Sequence, residues 1–293
     1  MKVGLECAHC LLDRAINQVK LATNDEAVRM RVTAEMLKML GEKFDSNSVP
    51  SHIGTERDLL VQEMTGIDPY AELKRISNAM ALSILPELLR IVDEETDAEI
   101  RFRKATLIAA AANAIEFDVS GRKFNLEELR NILERVESDL AIDHIGRFFD
   151  LCQKTSEVLY LMDNAGEIVL DVILIREIRK LGPKVYAVVK GGPVLNDATR
   201  IDAAEIELEK HVDAVYDTGG AAIGVNRERA SQEFLHLFDS AELIIAKGMG
   251  NYESLTEFSP SVPTVHIMRT KCMPVANHVG VERDKNVIMI REP

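Results

Sequence analysis

Apolar residues in the first half of the chain recur at spacings of three and four positions, the repeat of one face of an α-helix. One such run consists of Leu73, Ile76, Met80, Ile84 and Leu88. Polar residues, glycine and proline interrupt the repeat near residues 45–51, 66–69, 93–97 and 120–125. The pattern predicts an all-helical region over residues 1–153, which can be divided into two subdomains near residues 93–97.

After residue 154 the pattern changes to short, nearly continuous apolar runs. These runs cover residues 157–162, 184–189, 212–216, 242–246, 264–268 and 287–290. Segments of helical length separate the first four runs, so strands and helices alternate as in a parallel sheet covered on both faces. We therefore predict an α/β domain over residues 154–293, with a three-layer α/β/α, doubly wound, mostly parallel sheet. The last two runs have no long helix between them, which predicts an antiparallel edge strand.

The composition limits the classes of partner. Of 293 residues, 46% are hydrophobic and 28% are charged, as in an ordinary globular protein. The net charge of -13 opposes binding to nucleic acid or to an anionic membrane, and no basic patch compensates for it. No apolar run approaches the ~20 residues of a membrane span, and Glu6 and Cys7 interrupt the place of a secretory signal. We expect a cytoplasmic protein with neither nucleic acid nor membrane as partner.

Carboxylates and amides follow the predicted strands at their carboxyl ends, where ligands bind in open α/β sheets. Asp163 and Asn164 follow the first strand, and Asp197 lies in the loop after the second. Two carboxylates and an amide carbonyl are hard oxygen ligands of the kind that magnesium or manganese prefers. An equally good reading of Asp163 and Asn164 is that they form a turn and cap the next helix.

A lysine and several glycines follow the fourth predicted strand. Lys247 ends the strand and is followed by Gly248, Gly250 and Asn251. A positive charge beside backbone N–H groups that no Cβ obstructs suits an anion such as phosphate. The alternative is an ordinary glycine-rich connection, because one lysine beside two glycines is a weak motif.

Taken together, these segments resemble the signature of the damage-control phosphatases, metal-dependent enzymes that were formerly a family of unknown function. The matching segments are residues 163–167, 196–197 and 247–253, with residues 66–70, Lys74 and residues 113–118 upstream. The resemblance therefore covers nearly the whole chain. Cys7 and Cys10, in a Cys-x-x-Cys arrangement, resemble the archaeal and bacterial branch of the family.

The resemblance implies hydrolysis of small phosphate monoesters, such as sugar phosphates and damaged phosphometabolites, with a divalent manganese, cobalt, nickel or magnesium ion. It also implies the two-part architecture predicted above. The implied metal ligands are Asp163, Asn164 and Asp197, and the implied phosphate contacts are Lys247 and the loop that contains Gly248, Gly250 and Asn251. Asn113, Asp118 and Glu253 are further candidates for the substrate pocket.

Several alternatives stay open at this level. Asp163 is the candidate nucleophile, but Ala165 stands where other aspartate phosphatases carry a second Asp, so a metal-bound water is the other possibility. Some family members are described as S-adenosylmethionine-dependent carboxyl methyltransferases acting on protein acidic residues, and a non-catalytic metal- or phosphometabolite-binding protein is a third reading. Cys7 and Cys10 are packed thiols, a redox pair or metal ligands, in that order. The oligomeric state is not readable.

Overall fold

A computed structural model describes residues 1–114, 126–258 and 260–293. In this part of the chain, helices precede most of the sheet. The helices before the first strand are α1 (Leu5–Ala22), α2 (Glu26–Lys43), α3 (Pro50–Thr65), α4 (Ala71–Asp93), α5 (Ala98–Ala114) and α6 (Leu126–Ser138). The helices that follow are α7 (Ile145–Lys154), α8 (Glu167–Lys180), α9 (Arg200–Glu205), α10 (Gln232–Ser240), α11 (Gly248–Leu255) and α12 (Met273–Val279).

Local sequence explains where α3 begins and ends, and this helix contacts the loops at the carboxyl edge of the sheet. Pro50 is its first residue, a position where the missing N–H costs no helical hydrogen bond. Gly66 ends it in the left-handed conformation with φ 71°, and its N–H bonds to the carbonyl of Gln62. Each end of α3 therefore carries a residue type that favours a helix terminus of that kind.

The sheet has seven strands within the described residues. They are β1 (Leu140–Asp143), β2 (Glu157–Leu161), β3 (Lys184–Val189), β4 (Ala214–Asp217), β5 (Leu243–Lys247), β6 (Thr264–Arg269) and β7 (Asn286–Arg291). Their order across the sheet is β1-β7-β6-β5-β2-β3-β4. Every neighbouring pair is parallel except β6 and β7, which are antiparallel. The predicted fold class, a helical region followed by a mostly parallel α/β sheet, is confirmed.

Two details differ from the prediction. Leu140–Asp143, within the region predicted to be wholly helical, forms β1 and pairs with β7. The antiparallel strand β7 is therefore not at the edge of the sheet, because β1 lies outside it. A four-residue strand between two helices carries too short an apolar pattern to stand out from helical periodicity.

Helices cover both faces of the sheet, which gives the three layers. On one face, α5 and α8 pack together over the strands, and residues of α8 such as Ile168 and Leu174 are fully buried. On the other face, Phe234 and Phe238 of α10 pack against the strands in a separate apolar cluster. None of the described helices is both long and apolar enough to span a bilayer.

The helical region also reaches the carboxyl edge of the sheet. On α3, the Thr55 hydroxyl accepts a hydrogen bond from the Ile223 N–H at 3.0 Å, in the loop after β4. About two turns further on, Gln62 donates to the carbonyl of Pro193 at 3.1 Å, in the loop after β3. Helix α3 therefore lies across the loops in which the sequence places the candidate site.

Candidate functional site

Backbone pairing brings Asp163 and Asp197 together at the carboxyl edge. The segments form an antiparallel bridge between Asn164 and Asp197. The Ala198 N–H donates to the carbonyl of Asp163 at 2.7 Å, and the Ala165 N–H donates to the carbonyl of Asn196 at 2.9 Å. Asp163 is only 8% exposed and Asp197 only 4%. The fold thus holds two buried carboxylates side by side, although 34 residues separate them in the chain.

Asn164 is oriented by the carboxylates next to it. Its amide nitrogen Nδ2 donates to Asp163 Oδ2 at 3.1 Å and to Glu167 Oε1 at 2.7 Å. The nitrogen therefore faces these two carboxylates, and the carbonyl Oδ1 is on the other side of the amide. Helix α8 is capped by Gly166 with φ 80° and receives no side-chain cap. The alternative reading, in which Asp163 and Asn164 cap this helix, is thereby wrong.

Burial raises the proton affinity of both aspartates. Burial, followed by the charges of Glu167 and Asp197, raises the pKa of Asp163 well above its usual value. Burial also raises the pKa of Asp197 to about 6, against the opposing charge of Lys190. Asp197 Oδ2 lies 3.6 Å from Lys190 Nζ and accepts no hydrogen bond from the described residues. A buried carboxylate oxygen without a hydrogen-bond donor is costly, and a cation would relieve that cost.

Lys247 points into the protein rather than to an open surface. Its side chain is 0% exposed, and Nζ donates to Asp171 Oδ1 at 2.7 Å and lies 3.6 Å from Glu167 Oε2. Burial alone would lower the pKa of Lys247, but the Asp171 and Glu167 carboxylates outweigh it and raise that pKa. Burial raises the pKa of Asp171 to about 6 even though Lys247 opposes it. The phosphate contact expected of Lys247 stays a prediction.

The loop after β5 approaches the aspartates closely because it begins with a glycine. Gly248 adopts φ 75°, and a Cβ built on it would overlap the Asp163 carboxylate. Asn251 is 1% exposed, and its Nδ2 donates to the carbonyls of Met162 at 3.2 Å and Lys247 at 2.8 Å. Asn251 therefore ties the end of β2 to the start of α11. A Cβ on Gly250 would lie 2.7 Å from Ile223 Cγ2, so this position also needs glycine.

Glu253 lies further along α11, on the side of the helical region. Its side chain is partly buried, and burial raises its pKa to about 7 while Arg14 and the N-terminal amine oppose the shift. Asp118 lies outside the described residues, and so does the side chain of Asn113. Their predicted pocket role stays a prediction.

The sequence model of the damage-control phosphatase ARMT1-like domain matches residues 4–287.

The chain belongs to the ARMT1-like family.

Several similar proteins match nearly the whole of this chain and of their own. An uncharacterised protein of Methanocaldococcus jannaschii is 36% identical over 99% of this chain and 96% of its own. A protein of Archaeoglobus fulgidus named damage-control phosphatase is 36% identical over 96% of this chain and 96% of its own. The crystal structure of a DUF89 family protein of Pyrococcus horikoshii covers 100% of both chains with a TM-score of 0.87 and 32% identity. The family and the fold are thereby both shown.

Sequence reasoning missed several residues of this ARMT1-like site. Asn78, on α4, accepts a hydrogen bond from the Gly166 N–H at 2.7 Å through Oδ1. Its Nδ2 donates to Asp202 at 3.1 Å and to Glu205 at 2.7 Å. Glu167 and Asp171 were missed as partners of Lys247. Their i, i+4 spacing within an otherwise apolar helix was the available signal, because two carboxylates on a buried face need a cation.

The donor set fits a hard divalent ion better than a soft one. Among the described residues, no three His, Cys, Asp or Glu side chains converge as a metal-binding group. The set here is of another kind, with two carboxylates and one amide carbonyl from Asp163, Asp197 and Asn164. Oxygen donors of this type suit magnesium or manganese. The Asp197 oxygen that lacks a hydrogen bond is the observation that agrees with such a ligand.

The Cys-x-x-Cys segment of the ARMT1-like chain has one buried and one exposed thiol. Cys7 packs with Leu11 and Ile53 in a small apolar cluster, and burial raises the pKa of its thiol. Cys10 is exposed, and both thiols are free. The environment of Cys7 agrees with the first reading, a packed thiol.

Proposed function

We propose that this chain is a metal-dependent phosphatase that hydrolyses small phosphate monoesters, such as sugar phosphates or damaged phosphometabolites. The observation that carries the proposal is the buried Asp163–Asp197 pair, held by a backbone bridge, with one Asp197 oxygen lacking a hydrogen bond. Membership of the ARMT1-like family supports it. So does the name damage-control phosphatase carried by the Archaeoglobus fulgidus and Pyrococcus horikoshii relatives.

Asp163, Asn164 and Asp197 would hold the metal, a divalent manganese, cobalt, nickel or magnesium ion. A bound divalent ion supplies positive charge that polarises the phosphoryl group and stabilises the charge of the transition state. Glu167 fixes the amide of Asn164 so that its carbonyl oxygen, not its nitrogen, faces away from the carboxylates. The same hydrogen bond leaves the carbonyl oxygen of Asn164 as the atom that would bind the ion.

The start of α11 would receive the phosphate. Its N-cap residue is Lys247, and no side chain caps the first turn, so the backbone N–H groups of that turn are available to an anion. Gly248 lets this turn lie directly against the Asp163 carboxylate, which places the phosphate beside the metal-holding residues. Asp171 and Glu167 hold the Lys247 ammonium behind the turn. These carboxylates neutralise that ammonium, so the backbone N–H groups of the turn would provide most of the attraction for the anion.

The test is phosphate release from a panel of sugar phosphates and other small esters. We expect no release by protein stripped of metal with a chelator, and recovery when manganese, cobalt, nickel or magnesium is added back. Asp197→Asn should not recover with any of the four metals. The matched control is Asp239→Asn, which removes a surface carboxylate that pairs with Arg227, and it should behave as wild type.

Two results would overturn the proposal. Full activity of the stripped protein would remove the role of the metal. Absence of phosphate release across all esters and metals would remove the phosphatase and leave a binding protein.

A further inference from the structure

Arg57 is a buried cation whose charge is not compensated. It lies on α3 and is only 1% exposed. Its Nε has no hydrogen-bond partner, and the guanidinium forms no hydrogen bond or ion pair with any residue that the structure describes. Burying a charged arginine without a partner costs several kcal/mol. That cost is a large fraction of the net free energy of folding of a protein domain.

The other buried cations differ from Arg57 in this respect. Within the described ranges, the buried cationic side chains are Arg57, Lys74, Lys190 and Lys247. Lys74 lies 3.6 Å from Asp68, Lys190 lies 3.6 Å from Asp197, and Lys247 lies 2.7 Å from Asp171. Arg57 has no such carboxylate. Asp58 is adjacent in sequence, but Gln18 and Gln62 donate hydrogen bonds to its two oxygens.

Burial and the neighbouring Arg14 disfavour the charge of Arg57, and its other titratable neighbours offset them only in part. Burial, and then the positive charge of Arg14 on α1, lowers the pKa of Arg57, while Tyr70 and Asp58 favour the charged form. Cys10 is the remaining titratable group that acts on it. Arg14 and Cys10 are exposed, so the region opens to solvent between α1 and α3. Two guanidinium groups close together are stable where an anion lies between them.

This cation is placed at the candidate site. Residues on either side of it on α3 contact the loops of the sheet edge: Thr55 bonds the Ile223 N–H at 3.0 Å, and Gln62 bonds the Pro193 carbonyl at 3.1 Å. The charge of Asp58, the next residue, acts on Asp197. The positive charge of Arg14 in turn lowers the pKa of Glu253 on α11, against the effect of burial. Arg57 thus lies where α1, α3 and the sheet edge meet.

We propose that Arg57, with Arg14 at the solvent side, is an anion-binding residue that holds a phosphate or carboxylate oxygen of the substrate. The planar guanidinium presents a fork of N–H donors that matches two oxygens of either group. That the bound anion belongs to a substrate rests on the proposed phosphatase function, whereas the anion site itself does not. The anion is either the phosphate that is transferred or a second charged group elsewhere on the same molecule.

The first experiment measures binding without turnover. Metal-stripped protein is titrated with inorganic phosphate and with citrate by calorimetry at low ionic strength. We expect wild type and Arg75→Gln, which removes an exposed arginine on α4, to bind one of these anions equally. Arg57→Gln should weaken that binding at least tenfold, and Arg57→Lys should restore part of it. Equal affinity in wild type and Arg57→Gln, or no binding by wild type, would overturn the proposal.

Thermal unfolding separates this role from a structural one. Because Arg57 has no hydrogen-bond or ion-pair partner among the described residues, Arg57→Gln and Arg57→Met should keep or raise the melting temperature in the absence of anion. Added phosphate or citrate should then raise the melting temperature of wild type but not that of the variants. A fall in melting temperature for both variants, with no difference in the effect of anion, would show a structural residue and contradict the proposal.

Kinetics identifies the source of the anion. Glycerol 3-phosphate and 3-phosphoglycerate are matched esters, of which only the second carries a carboxylate. If Arg57 holds the transferred phosphate, Arg57→Gln lowers kcat/KM for both; if it holds a second group, only 3-phosphoglycerate is affected, mainly through KM. Unchanged kcat/KM for both esters would count against the proposal. If neither ester is hydrolysed, calorimetry alone decides the anion site, and the full panel of esters decides the phosphatase function.

Discussion

The Cα of Gly248 lies against the carboxylate of Asp163, so closely that any Cβ at this position would overlap the carboxylate atoms. The contact joins the loop after β5 to the loop after β2, and these two strands are neighbours in the sheet. Gly248 also has φ 75°, a conformation that glycine adopts far more readily than other residues. Two separate constraints, space and backbone conformation, therefore require glycine here.

Gly248→Ala should abolish activity, and a matched variant can isolate the cause. Gly280 has a similar φ of 85°, but nothing lies within 4 Å of where its Cβ would be. Gly280→Ala should therefore cost only the backbone strain, about 1–2 kcal/mol, and should leave activity unchanged. Gly248→Ala adds displacement of Asp163 and should lower phosphate release by at least about 10²-fold. Similar losses of activity in both variants would show that strain alone is responsible.

The buried pair of Lys247 and Asp171 predicts a large cost when one partner is removed. Asp171→Asn leaves the Lys247 ammonium in a fully buried site, where Glu167, at 3.6 Å, is its remaining ion-pair partner among the described residues. We expect a loss of about 3–5 kcal/mol in the free energy of unfolding, measured with urea. The double variant Asp171→Asn with Lys247→Met should recover much of it, because no charge is left unpaired.

The control for this pair is an ion pair on the surface. Asp239→Asn breaks the bidentate contact with Arg227, in which both side chains are well exposed. Exposed pairs contribute at most about 1 kcal/mol, so this variant should unfold within that margin of wild type. A comparably small effect of Asp171→Asn would mean that water reaches Lys247.

The sequence indicated the positions of the strand ends but not the partners of the residues there. Strands β2, β3 and β5 are continuous apolar runs, and in a parallel sheet their carboxyl ends must meet, so Asp163 and Asp197 could be placed together. Lys247 was predicted to face an anion because its neighbours in sequence are glycines. Its partner Asp171 lies inside α8, where a single carboxylate in a helix is usually solvent-exposed.

The contribution of the helical region was the hardest part to predict. Asn78 bonds the Gly166 N–H across 88 positions of sequence, and Thr55 bonds Ile223 across 168. Helical periodicity shows which face of a helix is apolar, but it does not show which strand end that helix will cross. Arg57 illustrates the limit, because an arginine in a polar stretch of a helix is ordinarily exposed, whereas the packing of α3 in this fold leaves Arg57 buried.

Glu253 predicts a change of stability with pH. Burial raises its pKa from 4.5 to about 7, so the folded protein retains a proton that the unfolded chain releases between these values. Stability from this group is therefore present below about pH 4.5 and is lost as pH rises to about 7. Relative to wild type, Glu253→Gln should gain about 2–3 kcal/mol in the free energy of unfolding between pH 5 and pH 8.

The comparison variant for this pH effect is Glu63→Gln, which removes an exposed carboxylate on α3. The difference in the free energy of unfolding between Glu63→Gln and wild type should be the same at pH 5 and at pH 8. Urea unfolding at pH 5 and pH 8 provides the measurement. A pH-independent difference for Glu253→Gln would mean that its carboxyl group is solvated.

The last prediction separates the phosphatase from the methyltransferase alternative. A methyltransferase of doubly wound fold binds its cofactor with a glycine-rich loop after the first strand and an acidic residue at the end of the second, for the ribose. Here the loop after β2 has its N–H groups occupied. The Gly166 N–H bonds Asn78, and the Ala165 N–H bonds Asn196. The strand β3 is followed by Lys190, a cation that bonds the Gly224 carbonyl at 3.0 Å.

A cofactor would therefore have to break hydrogen bonds within the protein at the first loop, and it would meet a positive charge where its ribose needs a carboxylate. We expect no saturable binding of S-adenosylmethionine by calorimetry, with or without a divalent metal. Under the same conditions the protein should release phosphate from at least one sugar phosphate, and a chelator should stop that release. Micromolar S-adenosylmethionine binding that is indifferent to chelation, together with no phosphate release from any ester, would favour the methyltransferase, because methyl transfer to a carboxylate has no evident need of a divalent ion.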